Sequence, residues 1–130
     1  MVVCDTHALI FDALAPKELS AKASRAIESA YKSGDLACAD ISLWEIAMLM
    51  EKRRLEVDAS TADFLVALVA ARRLAVLPIT PAIAALAASG ILPPGDPADR
   101  LIAATAIAHR ASLVTKNKRL TGIPDLPTIW

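Results

Sequence analysis

Aromatic side chains and net charge are both scarce in this sequence. Only 4% of its 130 residues are Phe, Trp or Tyr, although 55% are hydrophobic. The core must therefore be built from Ala, Leu, Ile and Val, and a chain of this length can bury such a core without cross-links. Fourteen basic and fourteen acidic residues cancel. No overall basic field favours nucleic acid, so such a partner would have to be met by a local patch.

Cysteine is nearly absent as well. Cys4 and Cys38 are the only two, and each lies in a short apolar run, "MVVCD" and "LACAD". This setting favours two buried, reduced thiols over a disulfide or a metal site. Because no signal peptide precedes the first run, we expect a cytoplasmic protein.

Charge is missing from the stretch between Leu74 and Gly95, which is long enough to span a bilayer. The same stretch contains several prolines, and Pro78 and Pro81 would break a single helix in its first turns. We therefore expect a strand, a turn and a short Ala-rich helix here, in a soluble protein with no contact with a membrane.

Short apolar runs alternate with helical spacings along the whole chain. The runs predict strands over 1–4, 35–39, 74–79, 112–115 and 127–130. The spacings predict helices over 20–34, 40–54, 60–73, 81–89 and 97–110. We expect Ser20 and Ser60 to cap two of these helices and Asp40 or Ser42 to cap a third. The alternation predicts one α/β domain over residues 1–130, with a parallel sheet of four to five strands covered on both faces.

Acidic residues collect where the predicted strands end. The carboxyl ends of parallel strands share one edge of a sheet, and ligand sites form at that edge. Asp5 follows the first strand, and Glu45 lies in the helix after the second. A carboxylate straight after a buried strand is costly unless it is paired or coordinated. Glu45 is a lone charge in an apolar helix and needs a partner for the same reason.

Asp96 and Asp99 open the helix that precedes the fourth strand, and helix capping alone is one explanation for them. Asp96 before Pro97 is a favourable N-cap, and Asp99 suits the positive end of the helix dipole. The other explanation is a carboxylate cluster. Clustered carboxylates repel unless a cation lies among them. Their hard oxygens match Mg²⁺ or Mn²⁺, which most often serve phosphate chemistry.

Four blocks in this order resemble one family: "VVCDTHALIF", "ISLWEIAMLMEKRRLEV", "DPADRLIAATA" and "LVTKNKRL". The pattern resembles the PIN-domain ribonucleases, specifically the toxins of VapBC-type toxin–antitoxin pairs, over nearly the whole chain. The resemblance implies a three-layer α/β/α sandwich, RNA cleavage that depends on Mg²⁺ or Mn²⁺, a homodimer, and inhibition by a small cognate antitoxin.

The resemblance also assigns roles to particular residues. The catalytic, metal-binding acids would be Asp5, Glu45 and Asp99. Supporting positions would be Thr6, Asp96, Thr115 and Asn117. The sequence departs from the family pattern at Asn117, where a fourth acid is usual, and this puts a second metal position in doubt. We expect local positive charge for the RNA backbone from Lys116, Lys118 and Arg119, with Arg100 as a weaker candidate.

Two alternatives stay open at this point. The first is a PIN-like domain that binds RNA or a partner without cutting it. Asn117 supports this alternative, because it stands where the family pattern has an acid. The second is a phospho-accepting receiver domain, although such domains want paired acids after the first strand and an aspartate after the third. Here Asp5 is followed by Thr6, and "LAVLPIT" contains no acid.

Two predicted helices carry more apolar residues than one buried stripe needs. These are the segments 41–50 and 60–72, which include Trp44 and Val66. Leftover apolar surface usually marks an interface. One explanation is that the two helices pack on each other and use it all. The other is a groove for an amphipathic antitoxin segment, with a second apolar surface for a homodimer.

Overall fold

The protein, as a computed structural model, is described over all 130 residues. Five strands form one parallel sheet. They are β1 (Val2–Cys4), β2 (Leu36–Ala39), β3 (Ala75–Leu77), β4 (Ser112–Val114) and β5 (Thr128–Ile129). Every predicted strand is therefore present. Each is shorter than its apolar run, because the run also includes residues at which the chain enters or leaves the sheet.

The strand order β3-β2-β1-β4-β5 reverses between β1 and β4. Cys4, the last residue of β1, pairs with Val114, the last residue of β4. The residues that follow these two strands consequently leave the sheet side by side, and the backbone N–H of Asp5 donates to the Val114 carbonyl at 2.9 Å. In open α/β sheets the crevice at such a reversal is the usual ligand position.

Six helices cover the two faces of the sheet. They are α1 (Thr6–Leu14), α2 (Ala21–Ser33), α3 (Asp40–Glu51), α4 (Thr61–Arg72), α5 (Pro81–Ala88) and α6 (Pro97–Ala108). The predicted caps of α2 and α4 are confirmed, since Ser20 accepts from the Ala23 N–H at 3.0 Å and Ser60 from the Asp63 N–H at 3.1 Å. None of these helices has the length and the apolar character that crossing a membrane requires.

Two helices differ from the sequence-based prediction. The spacing did not predict α1, which buries Ala8, Leu9 and Ile10 in succession rather than a spaced stripe. The predicted cap of α3 is wrong, because α3 begins at Asp40 itself and no side chain caps it. The Asp40 carboxylate instead accepts from the Ile79 N–H at 3.1 Å and ties the end of β3 to α3.

The core lies in two layers, one on each side of the sheet, as the three-layer prediction requires. Neighbouring strand residues alternate between them: Val3 and Leu113 face the layer with α5 and α6, whereas Cys4 and Val114 face the layer with α1, α2 and α4. Ala, Leu, Ile and Val dominate both layers, which confirms the expected composition.

Both cysteines are free and buried, as predicted. Burial raises the pKa of the Cys38 thiol to about 12, and burial likewise raises the pKa of Cys4 far above its usual range. Because a thiol reacts and binds metals as the thiolate, both side chains serve as core residues.

Candidate active site

Asp5 is the most buried acid at the carboxyl edge of the sheet, with 7% of its surface exposed. Its Oδ1 accepts from the Thr6 N–H at 2.8 Å, and its Oδ2 accepts from the Thr115 hydroxyl at 2.6 Å. Thr115 follows β4, and so these two residues, far apart in sequence, meet because their strands are neighbours. The hydrogen bonds stabilise a carboxylate that burial would otherwise make costly.

Glu45 is held beside Asp5 through a hydroxyl. Thr6 opens α1, and its Oγ1 donates to Glu45 Oε1 at 2.5 Å. The same Oγ1 lies 3.0 Å from the hydroxyl of Ser42, which is fully buried one turn before Glu45 on α3. Ser42 was not among the predicted site residues. Its signal was that Ser42 and Glu45 are the polar residues of an otherwise apolar helix face.

Asp96 and Asp99 have two different roles at the start of α6. Asp96 caps the helix, because its Oδ1 accepts from the Ala98 and Asp99 N–H groups at 2.8 and 3.3 Å. Asp99 points elsewhere, since its Oδ2 accepts from the side-chain amide of Asn117 at 3.1 Å. The cap and the carboxylate cluster therefore coexist in "DPAD".

Asn117 joins the two sides of the site. Its backbone N–H donates to Thr115 Oγ1 at 3.0 Å, and its Oδ1 accepts from the Arg119 N–H at 3.0 Å. A continuous path of hydrogen bonds thus runs from Asp5 through Thr115 and Asn117 to Asp99. At the position where the resemblance leads one to expect a fourth acid, this chain has an amide, and its nitrogen donates to Asp99.

The acids are close enough to affect one another's ionisation. Burial raises the pKa of Glu45, and the negative charges of Asp99, Asp5 and Asp96 raise it further, against the hydrogen bond from Thr6. Burial also raises the pKa of Asp99, with Asp5 and Asp96 adding to the effect, whereas Asn117 and His7 oppose it. The cluster is therefore a region of unbalanced negative charge.

The donor set suits a hard divalent cation. Glu45 Oε2 and Asp99 Oδ1 accept no hydrogen bond from the protein, and neither atom is sealed from solvent. As the side chains stand, however, no three acidic, histidine or cysteine groups converge closely enough to form a complete cage. A cation held here would be bound partly through water, as Mg²⁺ commonly is.

The predicted basic residues divide into two kinds. Lys116, Lys118 and Arg119 are exposed, and no carboxylate pairs with them. Arg100 is different, because four of its five N–H groups donate to backbone carbonyls at 2.5–3.2 Å. These carbonyls belong to Ala87, Ser89, Leu92 and Pro93. Arg100 fixes the loop between α5 and α6, and its guanidinium is not free for a phosphate.

The chain is similar to known proteins over nearly its full length. The PIN domain family model matches residues 2–126. Ribonuclease VapC22 of Mycobacterium tuberculosis is 42% identical over 134 aligned residues, which cover 99% of this chain and 98% of that protein. This match makes the receiver-domain alternative wrong.

Several solved structures share the fold. The VapBC2 complex of Rickettsia felis, bound to a DNA fragment from its promoter, aligns with a TM-score of 0.74 at 23% identity, over 98% of this chain and 97% of that one. A toxin–antitoxin complex from Klebsiella pneumoniae aligns with a TM-score of 0.66 at 23% identity, over 97% and 95% of the two chains. By its family model and its close relative in sequence, this chain belongs to the PIN domain family.

Proposed function

We propose that this chain is a metal-dependent endoribonuclease that acts in the cytoplasm as the toxin of a toxin–antitoxin pair, with residues 1–130 as one domain. The observation that carries the proposal is the carboxylate cluster of Asp5, Glu45 and Asp99, at the sheet reversal where an α/β fold places its ligands. The chain bears this cluster on the scaffold of a family whose relative VapC22 is named a ribonuclease.

Asp5, Glu45 and Asp99 would hold Mg²⁺ or Mn²⁺. The ion when bound would hold a nonbridging phosphate oxygen, activate water and stabilise the leaving oxygen. The chain's own contribution is orientation. Thr115 fixes the Asp5 carboxylate at 2.6 Å, and Thr6 fixes the Glu45 carboxylate at 2.5 Å. The side-chain amide of Asn117 orients the Asp99 carboxylate, so each of the three acids is restrained by a hydrogen bond against their mutual repulsion.

The test is incubation of the purified, antitoxin-free chain with total RNA. Parallel reactions contain Mg²⁺, Mn²⁺ or a chelator, and new RNA ends are mapped. We expect new ends at defined positions with either metal and none with the chelator. RNA binding without new ends would favour the alternative of a non-cutting PIN-like domain.

We expect the double change Lys116→Glu, Lys118→Glu to weaken RNA binding by at least about tenfold. It should also reduce the salt slope, the steepness with which log K falls against log[salt], by about two, because each phosphate contact releases counterions. Fluorescence anisotropy of a labelled RNA at several salt concentrations measures both quantities. Lys22→Glu with Lys32→Glu, two exposed lysines on α2, is the matched control. Unchanged affinity and slope in the first pair would end the assignment.

We expect Asn117→Asp to destabilise the metal-free chain by about 1–2 kcal/mol, because a carboxylate would replace the amide that donates to Asp99. With Mn²⁺ present we expect Asn117→Asp to stabilise the chain instead, since the added carboxylate would stand where the family pattern has its fourth acid. Thermal unfolding with chelator and with Mn²⁺ measures both effects, and Asn117→Ala removes the hydrogen bond without adding charge. Calorimetric titration of Mn²⁺ into both chains compares their metal binding. Equal Mn²⁺ affinity and stoichiometry in Asn117→Asp and the unmodified chain would mean that Asn117 does not limit the site.

The partner would be a cognate antitoxin. A groove of about 350 Å³ lies between α1, α2 and α4, lined mainly by apolar side chains, with the ion-paired Arg72 and Asp12 among its residues. Part of the predicted leftover surface is indeed buried, since α3 and α4 pack together. Trp44 and Val66 nevertheless remain 57% and 70% exposed. Neither of these two side chains lines the groove. The exposed apolar residues of α3 and α4, together with the groove that α4 also lines, suit the apolar face of an antitoxin helix.

Hydrogen exchange with and without the cognate antitoxin measures this contact. We expect protection over residues 41–54 and 60–72, because the bound segment would cover α3 and α4. A homodimer, which we also propose, gives protection that depends on the concentration of the chain alone, and comparing two concentrations separates the two interfaces. Protection that spares both 41–54 and 60–72 would refute this contact.

A further inference from the structure

Three helices are followed by an arginine in the left-handed backbone region, where glycine is usual. Arg53, Arg73 and Arg110, which follow α3, α4 and α6, have φ values of 56°, 48° and 53°. A side chain is unfavourable in this region, and Gly34 avoids that cost at the end of α2. The positive charge suits the negative end of the helix dipole in all three cases. Arg73 is distinguished by the surroundings of its guanidinium.

Arg73 lies on the ring of Tyr31, which forms part of the wall of the groove between α1, α2 and α4. The guanidinium carbon is 4.9 Å from the centroid of the ring, and this cation–π contact restrains the side chain. Arg73 is exposed, and no carboxylate pairs with it. A restrained guanidinium with an open planar fork suits a carboxylate that accepts two parallel hydrogen bonds.

The neighbouring arginine is already engaged. Arg72 lies over the Tyr31 ring as well, at 5.0 Å, and it pairs with Asp12 of α1 and Glu28 of α2, each at 2.9 Å. These two acids are therefore directed at Arg72, and Arg73 is the cation of this wall whose donors are open to a partner. The ion pairs also join the three helices of the groove, so the wall does not have to become ordered when a partner binds.

The groove itself offers an apolar floor and room for another backbone. Ala67 and Ala71, one turn apart on α4, line it and are small and exposed. Because β3 comes soon after α4, Arg73 lies toward the amino edge of the parallel sheet, whereas Asp5 and the other clustered acids lie at the carboxyl edge. An acidic side chain that binds at Arg73 consequently stays away from the repulsion of that cluster.

We propose that the groove between α1, α2 and α4 binds a helical segment of the antitoxin that places an acidic side chain on Arg73, beside the apolar side chains that fill the groove. This inference rests on the proposed toxin–antitoxin function. It adds the chemistry by which the partner is selected, because an apolar helix without an acid at this position would leave the guanidinium unmatched. It also fixes the direction of the segment, whose acidic end would lie at the amino edge of the sheet.

Arg73→Gly tests the proposal, because it removes the guanidinium and relieves the left-handed backbone in one step. We expect this variant to unfold at the same temperature as the unmodified chain or higher. We expect it to bind the cognate antitoxin about tenfold more weakly, which is the lower end for a lost charged hydrogen bond because Arg73 is exposed. Arg110→Gly makes the same backbone change after α6 and should bind like the unmodified chain. Arg73→Lys keeps the charge without the planar fork and should recover only part of the affinity.

Calorimetric titration of the purified antitoxin into each chain, in chelator, measures these affinities. On the partner's side, each Asp or Glu of the segment that becomes protected in hydrogen exchange is changed to Asn or Gln. One of these changes should weaken binding to the unmodified chain about tenfold and have little further effect on Arg73→Gly, which is the coupling expected of a direct contact.

The outcomes separate this inference from the function on which it rests. If the antitoxin binds the unmodified chain and Arg73→Gly equally well, or if none of its acids couples to Arg73, the proposed contact is wrong. A loss of affinity in Arg73→Gly that comes with a lower unfolding temperature would assign Arg73 a structural role instead. If the antitoxin does not bind the unmodified chain at all, the proposed partner fails and the contact fails with it.

Discussion

Asp99→Asn is expected to lower RNA cleavage by about 100-fold or more without unfolding the protein, and Asp5→Asn should do the same. Removing a residue that only orients a metal ligand typically costs about 10- to 100-fold, and a ligand itself should cost at least as much. The substitutions are nearly isosteric, so the loss would come from charge and not from packing. Single-turnover cleavage of an RNA identified in the end-mapping experiment measures the effect. Asp58→Asn, at an exposed acid, is the control.

Stability without metal distinguishes this role from a structural one. Burial and neighbouring acids raise the pKa of Asp99 in the folded chain. A raised carboxyl pKa means that the charged form opposes folding, so the unmodified chain loses stability as pH rises through that pKa. Asp99→Asn should therefore unfold at the same or a higher temperature in chelator at neutral pH. This advantage should vanish below about pH 4, where carboxyls are protonated. Wild-type cleavage by Asp99→Asn, or a large loss of stability, would contradict the assignment.

Arg100→Ala is expected to destabilise the protein by about 2–4 kcal/mol, because four backbone carbonyls lose a charged donor together. Ala87 and Leu92 are buried, so water cannot replace the donor freely at those carbonyls. Cleavage should fall as well, since the loop that Arg100 holds leads directly into Asp96 and Asp99. Chemical unfolding and single-turnover cleavage, both at a temperature where the variant is folded, measure the two effects.

Arg100→Lys separates this structural role from the RNA contact predicted from sequence. A lysine keeps the positive charge, but its compact ammonium has three donors and cannot match the planar guanidinium. We expect Arg100→Lys to lose most of the stability that Arg100→Ala loses. A phosphate contact would survive the change to lysine. Full stability of Arg100→Lys together with a normal salt slope would favour the RNA contact instead.

Most of the features that sequence predicted correctly have a local signal. Apolar runs indicated the strands. Ser20, Ser60 and Asp96 indicated where their helices begin, because a capping side chain bonds to a backbone N–H within three residues of itself. The convergence of Asp5, Glu45 and Asp99 followed from the rule that parallel strands end at one edge, and the structure brings the three into one electrostatic cluster. Whether they bind metal is a prediction that awaits experiment.

The features that sequence did not predict depend on partners distant in the chain. The donors of Arg100 reach carbonyls up to thirteen residues away, and nothing in "DPADR" distinguishes such an arginine from a surface one. The role of Asn117 likewise depends on Asp99, which a different element supplies. The helix α1 was missed because most of its residues are apolar, including the exposed Ala13 and Leu14, so that no polar face marks the helical spacing.

The most direct test is calorimetric titration of Mn²⁺ into the purified chain and into Asp5→Asn, Glu45→Gln and Asp99→Asn. If these acids share one cation, the unmodified chain will bind about one Mn²⁺, and each variant will bind it at least about tenfold more weakly, because one charged ligand is lost. The Asp58→Asn control should bind like the unmodified chain. Mn²⁺ binding of unchanged affinity and stoichiometry in all three variants would contradict the claim that Asp5, Glu45 and Asp99 form the metal site.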